Sequence, residues 1–337
     1  MDSLTQIVLG GAVAELVAGK RMGNKAIVWG AIAGTIPDLD VFLRAFYHPI
    51  DAALLHRGFS HSILFSFLFS PVFSWILFHL YKKKYPFKLW LILFFWGLIT
   101  HPMLDIFTNY GTQFFWPFET RVSFNTVFVI DPLYTIPFMV FLIWAMFLKK
   151  DNPKRFKINL IGIIYSSSYL LWGVIVKLFL LSQTQAVFAN EHISINRSMV
   201  TPMPLTSFYW YTLGEDDSSY FIYYTSIFEG GAKTIERLPK AKIRLENLNW
   251  KDVNYNEKLK LMSNGYYLIE QKNDTLNYYD LRFGLSGKLT GERVNKPIMG
   301  YQFIMKNNVV QHVEQMNRGE TFKYIDFHYY LRKVFGL

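Results

Sequence analysis

The chain has 337 residues, a formal net charge of +10 and no cysteine; 51% of its residues are hydrophobic and 18% aromatic. This composition excludes a disulfide scaffold, thiolate metal ligands and a cysteine nucleophile, and it excludes a disordered chain, because so apolar a sequence can bury ample surface. A mean hydropathy of +0.15 is too high for an ordinary soluble enzyme and too low for a pure transporter, so a membrane part joined to a soluble part is expected.

In chain order, Leu4–Gly19 and Ala26–Ile36 read as a helical hairpin turning at Lys20 to Lys25. Each is short for a full crossing, which suggests partly re-entrant segments. Three long apolar runs follow, Ile63–Tyr81, Ile130–Leu148 and Ile158–Leu181. Each is about long enough for a hydrocarbon core of roughly 30 Å. Leu89–Thr108 is a fourth, interrupted by His101, Pro102 and Asp105. The N-terminus lacks a basic region and carries Asp2 and Glu15, unlike a cleavable signal peptide.

Composition shifts near residue 185. Residues 1–184 hold 16 Lys+Arg and 9 Asp+Glu, and 12 of those 16 bases fall in three turns, at 20–25, 82–88 and 149–157. If the segments alternate, all three turns share one side, which the positive-inside rule makes cytoplasmic. Seven of the nine carboxylates then fall on or near the other side. After residue 185 the pattern becomes hairpins: Ser207–Leu213 with Tyr220–Ile227, Gly265–Gln271 with Leu276–Phe283, and Tyr301–Met305 with Val309–Val313 around Asn307-Asn308. A short helix is expected near 322–335. The fold class is therefore a multi-pass α-helical membrane domain, residues 1–184, followed by a β-rich (α+β) extramembrane domain, residues 185–337, placed outside the cytoplasm.

The outer end of the membrane part collects the chemistry. Pro37-Asp38-Leu39-Asp40 supplies two carboxylates. His56-Arg57-Gly58-Phe59-Ser60-His61 supplies two imidazoles just before a span. His101 and Asp105 share one helix face if the helix continues through Pro102. Imidazole with carboxylate suits zinc, manganese or iron better than magnesium or calcium. Six candidate ligands (Asp38, Asp40, His56, His61, His101, Asp105) exceed one catalytic zinc's complement, so one or two ions are expected. Ionisable groups in membranes need partners. An ion-pair network is the alternative, with Arg44, Arg57 and Arg121 as its main bases. His79 and His48 read as an interfacial and a loop residue. Glu15 reads as a supporting group at the site or as the partner of a base in the adjacent turn. Arg57 reads as a holder of phosphate oxygen or a neutraliser of carboxylate. A nucleic-acid partner is not expected, since the bases flank spans and residues 185–337 carry only +3.

Several ordered motifs also carry a resemblance. Met1-Asp2-Ser3-Leu4-Thr5-Gln6, Gly34-Thr35-Ile36-Pro37-Asp38-Leu39-Asp40, His56-Arg57-Gly58-Phe59-Ser60-His61-Ser62, His101-Pro102-Met103-Leu104-Asp105-Ile106-Phe107-Thr108, Gly111-Thr112-Gln113 and Ile130-Asp131-Pro132-Leu133-Tyr134 resemble the membrane-bound metal-dependent hydrolase family, YdjM-like. Thr201-Pro202-Met203-Pro204 and Asp280-Leu281-Arg282-Phe283-Gly284 resemble its C-terminal extension. Many members have Thr-His near the start where this chain has Gln6, which favours a one-metal site. The ligand order is also loosely similar to the zinc-dependent phospholipase C and single-strand nuclease superfamily, which favours phosphoesters. The resemblance implies a hydrolase and names no substrate; with the outer-face ligand pattern, the expectation is a bacterial-type inner-membrane enzyme acting on a lipid-linked or amphipathic ester, a phosphoester above all, at the outer face. The six ligands would hold the metal, Asp131 or Glu15 would act as base or support, and Arg57 would hold substrate charge. A metal transporter would need ligands along a path through the bilayer, whereas these lie at one end. A non-catalytic regulator or scaffold with a structural metal is the other alternative.

Overall fold

The computed structural model describes every residue except 231–232, 242, 292–294 and 318–322. The chain divides into two compact units, one of residues 1–47 with 52–175 and one of residues 48–51 with 176–337.

The first unit is helical. Helices α1 (Ser3–Met22) and α2 (Asn24–Thr35) form the expected hairpin. Its turn is only Gly23, whose φ of +59° falls where a glycine meets no penalty. Asp2 starts α1 by accepting from the Thr5 amide. The two helices pack closely because small residues face each other. A Cβ added at Gly34 would lie 2.6 Å from the Gln6 carbonyl oxygen. Beyond α2 the chain turns as a 3-10 helix, Ile36–Phe46, and then forms α3, Pro49–Leu55.

Ser62 caps α4 (Ile63–Leu80), accepting from the Phe65 amide. Helix α5 (Phe87–Asp105) runs through Pro102 into its last turn. There the missing proline N–H costs a single ladder bond. Helices α1, α2 and α5 pack against one another, α4 packs on α5, and α6 (Pro132–Met146) packs on α1. Trp90, Leu93, Phe94 and Leu77 form one buried cluster with Ala14 and Ala18 of α1 and Ala26 and Ala33 of α2; Val8, Ala12, Leu104, Tyr134 and Phe138 belong to another.

Among the described residues, four helical stretches are long and apolar enough to cross a membrane: Asn24–Phe46, Ile63–Leu80, Phe87–Asp105 and Pro153–Asn190. The expected crossing at 130–148 is instead a 15-residue helix, about 22 Å long at 1.5 Å per residue. Asp131 caps it with its side chain, so the helix cannot begin earlier. Helix α7 (Pro153–Asn190) has 38 residues, about 57 Å, and so runs beyond the expected segment at both ends.

The second unit is β-rich, as expected. A four-stranded antiparallel sheet has the order β1-β2-β3-β4, with β1 Arg197–Pro202, β2 Tyr209–Glu215, β3 Ser219–Ser226 and β4 Glu236–Pro239. A five-stranded sheet has the order β5-β9-β8-β7-β6, with β5 Asn249–Trp250, β6 Tyr267–Lys272, β7 Thr275–Leu285, β8 Pro297–Lys306 and β9 Val309–Gln315. Among the described residues, only β5 runs parallel to its neighbour, β9. All three expected hairpins form, as β2–β3, β6–β7 and β8–β9. Asn307 and Asn308 turn the last one with φ of +53° and +60°, the geometry that suits a two-residue hairpin loop. Helices α8 (Asn256–Met262) and α9 (Gly287–Thr290) are short, and α10 (Phe327–Val334) is the expected C-terminal helix, capped by Asp326. The start of that expectation, Phe322, lies outside the described residues.

Candidate metal centre

Three pieces of chain meet where α2 and α5 end and α4 begins. The 3-10 turn after α2 presents Asp38 and Asp40. The link from α3 to α4 presents His56, Arg57 and His61. The last turn of α5 presents His101 and Asp105, four residues apart on one face.

Four donor atoms converge. His61 Nε2 lies 3.3 Å from Asp38 Oδ1, 3.1 Å from His101 Nε2 and 3.6 Å from Asp105 Oδ2. His101 Nε2 lies 3.4 Å from Asp38 Oδ1 and 3.7 Å from Asp105 Oδ2. Four tetrahedral donors on a metal at roughly 2.0–2.1 Å would stand about 3.3–3.4 Å apart. The observed separations bracket that value.

The protons on the two rings are fixed from behind. His101 Nδ1 lies 2.5 Å from the Gly34 carbonyl oxygen, which only accepts, so Nδ1 donates. Ser60 Oγ donates to Asp40 Oδ2 at 2.7 Å and lies 2.9 Å from His61 Nδ1. A hydroxyl has a single proton. His61 Nδ1 therefore donates to Ser60 Oγ, with Asp40 Oδ2 3.3 Å away. In the neutral rings both Nε2 lone pairs then face each other at 3.1 Å, a contact that calls for a proton or a metal between them. Burial works against the His61 imidazolium, but hydrogen bonds to Asp38 and Asp40 and the charges of Asp105 and Asp40 outweigh it and raise its pKa. The cluster thus draws positive charge to this point.

Asp105 is tightly held. Its Oδ1 accepts from the Met1 amino group and from Gln6 Nε2 at 3.0 Å, and its Oδ2 lies 3.3 Å from Arg57 Nε. Gln6 Nε2 also reaches the His101 carbonyl at 3.3 Å. Gln6 Oε1 is buried with no hydrogen-bond partner among the described residues, a cost that a donor or a cation would remove. Arg57 has a left-handed backbone, φ +65°, which is uncommon for a non-glycine residue. Its Nη1 donates to Thr108 Oγ1 at 2.8 Å, and its guanidinium lies over the Tyr110 ring.

His61, His101 and Asp105 are buried, whereas the side chains of Asp38 and His56 are 18% and 21% exposed, so these two form the open edge. His56 Nδ1 is bonded to Asp40 Oδ1 at 2.7 Å. Burial lowers the His56 pKa, and Asp40 offsets this only in part.

A family model described as YdjM inner membrane protein matches residues 1–183, more than half of the chain. The chain belongs to the YdjM inner membrane protein family. The description of that family gives a location and names no reaction. The uncharacterised protein YfhP of Bacillus subtilis is 32% identical over 143 residues, 39% of this chain. The chain spans 42% of that relative's length. No solved structure matches.

All nine proposed site residues lie inside the family match, but they take different places. The structure brings the six proposed ligands together and sorts them. Asp38, His61, His101 and Asp105 converge, while Asp40 stands behind His56 and His61 as their hydrogen-bond partner. Two groups of three could each hold an ion, Asp38 with His56 and His61, and His61 with His101 and Asp105, and they share His61. Arg57 is also present. Two proposed residues are not. Glu15 lies two to three turns along α1 from Gln6 and is bound by Arg155, Nε to Oε1 and Nη2 to Oε2 at 2.6 Å each. This is the base-pairing alternative for Glu15. Asp131 is fully buried, caps α6 and accepts from Tyr169 at 2.8 Å. Both carboxylates are consumed by structural bonds. Sequence reasoning missed Ser60, Thr108 and the Gly34 carbonyl. All three lay inside the motifs, Ser60 beside His61, Thr108 at the end of the run from His101 and Gly34 at the start of the run to Asp40, but nothing in those motifs gave their roles.

Proposed function

We propose that this chain is a membrane-embedded, metal-dependent hydrolase of phosphoesters carried by amphipathic or lipid-linked molecules, with its centre at the extracytoplasmic face. The carrying observation is the convergence of Asp38, His61, His101 and Asp105 at separations suited to one ion, with both histidines oriented from behind. Zinc fits this donor set best, with manganese or iron as alternatives. A bound ion would supply Lewis acidity and bring the pKa of a bound water to about 7. The chain's own residues have distinct tasks. Arg57, anchored by Asp105 and Thr108, holds anionic oxygen. His56, at the open edge and oriented by Asp40, is placed to accept a proton at Nε2. Asp40 and the Gly34 carbonyl keep His61 and His101 in the tautomer that leaves Nε2 free.

The bases of the three turns at 20–25, 82–88 and 149–157 support the orientation, with the β-rich unit outside the cytoplasm. One observation favours a second reading, a non-catalytic membrane protein with a structural metal: four protein donors are enough to close a tetrahedral shell. A panel of phospholipids and lipid phosphates, presented to metal-loaded and chelated protein, separates the two. Metal-dependent hydrolysis that disappears in His56→Gln while the metal remains supports the enzyme. Full metal occupancy without hydrolysis of any member supports the structural role.

A further inference from the structure

The segment that carries Asp38 and Asp40 has two unlike sides. It turns directly out of α2, and together they form one apolar stretch, Asn24–Phe46, long enough to cross a membrane. Asp38 and Asp40 leave it toward His61 and His56. Ile36 and Pro37 pack inward as well, but the residues after Asp40 do not. Every position from Val41 to Tyr47 is exposed, with Phe42 at 70% and Phe46 at 82%. Arg44 is the one charge among them.

Phenylalanines this bare, next to a buried polar centre, mark an interaction surface rather than ordinary scatter. Continuity identifies the occupant. Val28 and Ile32 of α2 and Leu39 of the turn are exposed as well, so bare apolar side chains recur along a stretch long enough to cross a membrane and lead to the face at 41–47. Arg44 has the length to keep its guanidinium at headgroup level while its stem stays among hydrocarbon. We propose that this face lies in the lipid leaflet at that end of the helices and receives the hydrocarbon chain of the substrate, so that the centre draws a lipid phosphate sideways out of the bilayer. The substrate half rests on the hydrolase reading; the seating in lipid does not.

The chain has no cysteine, so Phe42→Cys, Phe46→Cys and, as a control, Asn273→Cys in the β6–β7 turn each create a single labelling site. Full-length protein carrying an environment-sensitive fluorophore is placed in phosphatidylcholine vesicles with brominated acyl chains. Labels at 42 and 46 are expected to emit to the blue and to be quenched at least twofold, with no quenching at 273. Emission at 42 and 46 matching that at 273 overturns the proposal. The substrate half is read on phosphate esters with one headgroup and chains of increasing length. The expected kcat/KM rises at least tenfold from a water-soluble short-chain ester to a long-chain one. A variant with both Phe42→Gln and Phe46→Gln keeps its metal and loses most of that preference. Equal kcat/KM along the series overturns the substrate half. If the labels lie in lipid and no ester is cleaved, the hydrolase reading and the substrate half both fall, and the seating stands.

Discussion

Two of the places where the helical unit buries ionisable groups are built on opposite principles. Glu15 and Arg155 form a closed account: one carboxylate meets one guanidinium through two parallel bonds of 2.6 Å. Asn159 donates beside them to the Ala12 carbonyl, and Arg155 Nη1 donates to the Leu148 carbonyl. The cluster at the other end does not close. Among the described residues, only Arg57 and the Met1 amino group, both on Asp105, stand against three carboxylates, Asp38, Asp40 and Asp105; two imidazole nitrogens face each other, and Gln6 Oε1 has no partner. Buried charge that neutralises itself holds helices together, whereas buried charge with a deficit of cation marks a binding site.

Substitutions separate the two. The largest effect is expected at the converging donors. His61→Ala or Asp105→Ala should remove the metal and lower metal-dependent hydrolysis by about 10³-fold or more, on the order of 4 kcal/mol, as read by initial rates on the best lipid phosphate. Next comes the closed pair. Arg155→Met strands Glu15 and should cost about 3–5 kcal/mol of stability, measured by thermal unfolding in detergent. Glu15→Leu combined with Arg155→Met should recover most of that loss. Neither variant should change metal content, and a loss of metal in the stable double variant would erase the contrast between the two ends. Asp40→Asn comes third. It keeps the fold but loosens His56 and His61, so metal affinity should fall about 10- to 100-fold, read by competition with a chromophoric chelator. The smallest effect is expected at Ser60→Ala, which takes away one hydroxyl relay to His61 at about 0.5–1.5 kcal/mol. It is visible as a few-fold change in the same competition.

Much of this arrangement was legible in the sequence, for identifiable reasons. The helical hairpin and the β-hairpins follow from apolar period and turn chemistry, both local properties, and Asn307-Asn308 turns where its side chains favour positive φ. The six clustered ligands were legible because polar groups stand out against apolar runs. Their division of labour was not. Whether Asp40 faces the ion or stands behind His61 depends on the 3-10 turn after α2, which no periodicity announces. Glu15 and Asp131 looked available because sequence shows a carboxylate and not its partner; Arg155 is 140 residues from Glu15, and Tyr169 is 38 from Asp131. The shortness of α6 was hidden in a continuous apolar run, which a capping aspartate interrupts at one end. Strands β1, β4 and β5 were missed for a related reason. β1 and β4 join their chain neighbours β2 and β3 without a tight turn to announce them, and β5 pairs with the distant β9.

The central claim is that the cluster at the ends of α2 and α5 holds a divalent ion through Asp38, His61, His101 and Asp105. The most direct test is the metal-to-protein ratio of purified protein under metal-replete conditions. Wild type, Asp105→Ala, His61→Ala and the Glu15→Leu/Arg155→Met double variant would be measured together by mass spectrometry. The account predicts about one ion per chain in the wild type and the double variant, and less than a tenth of that in Asp105→Ala and His61→Ala. The same ratio in all four proteins, whether near zero or near one, would contradict it.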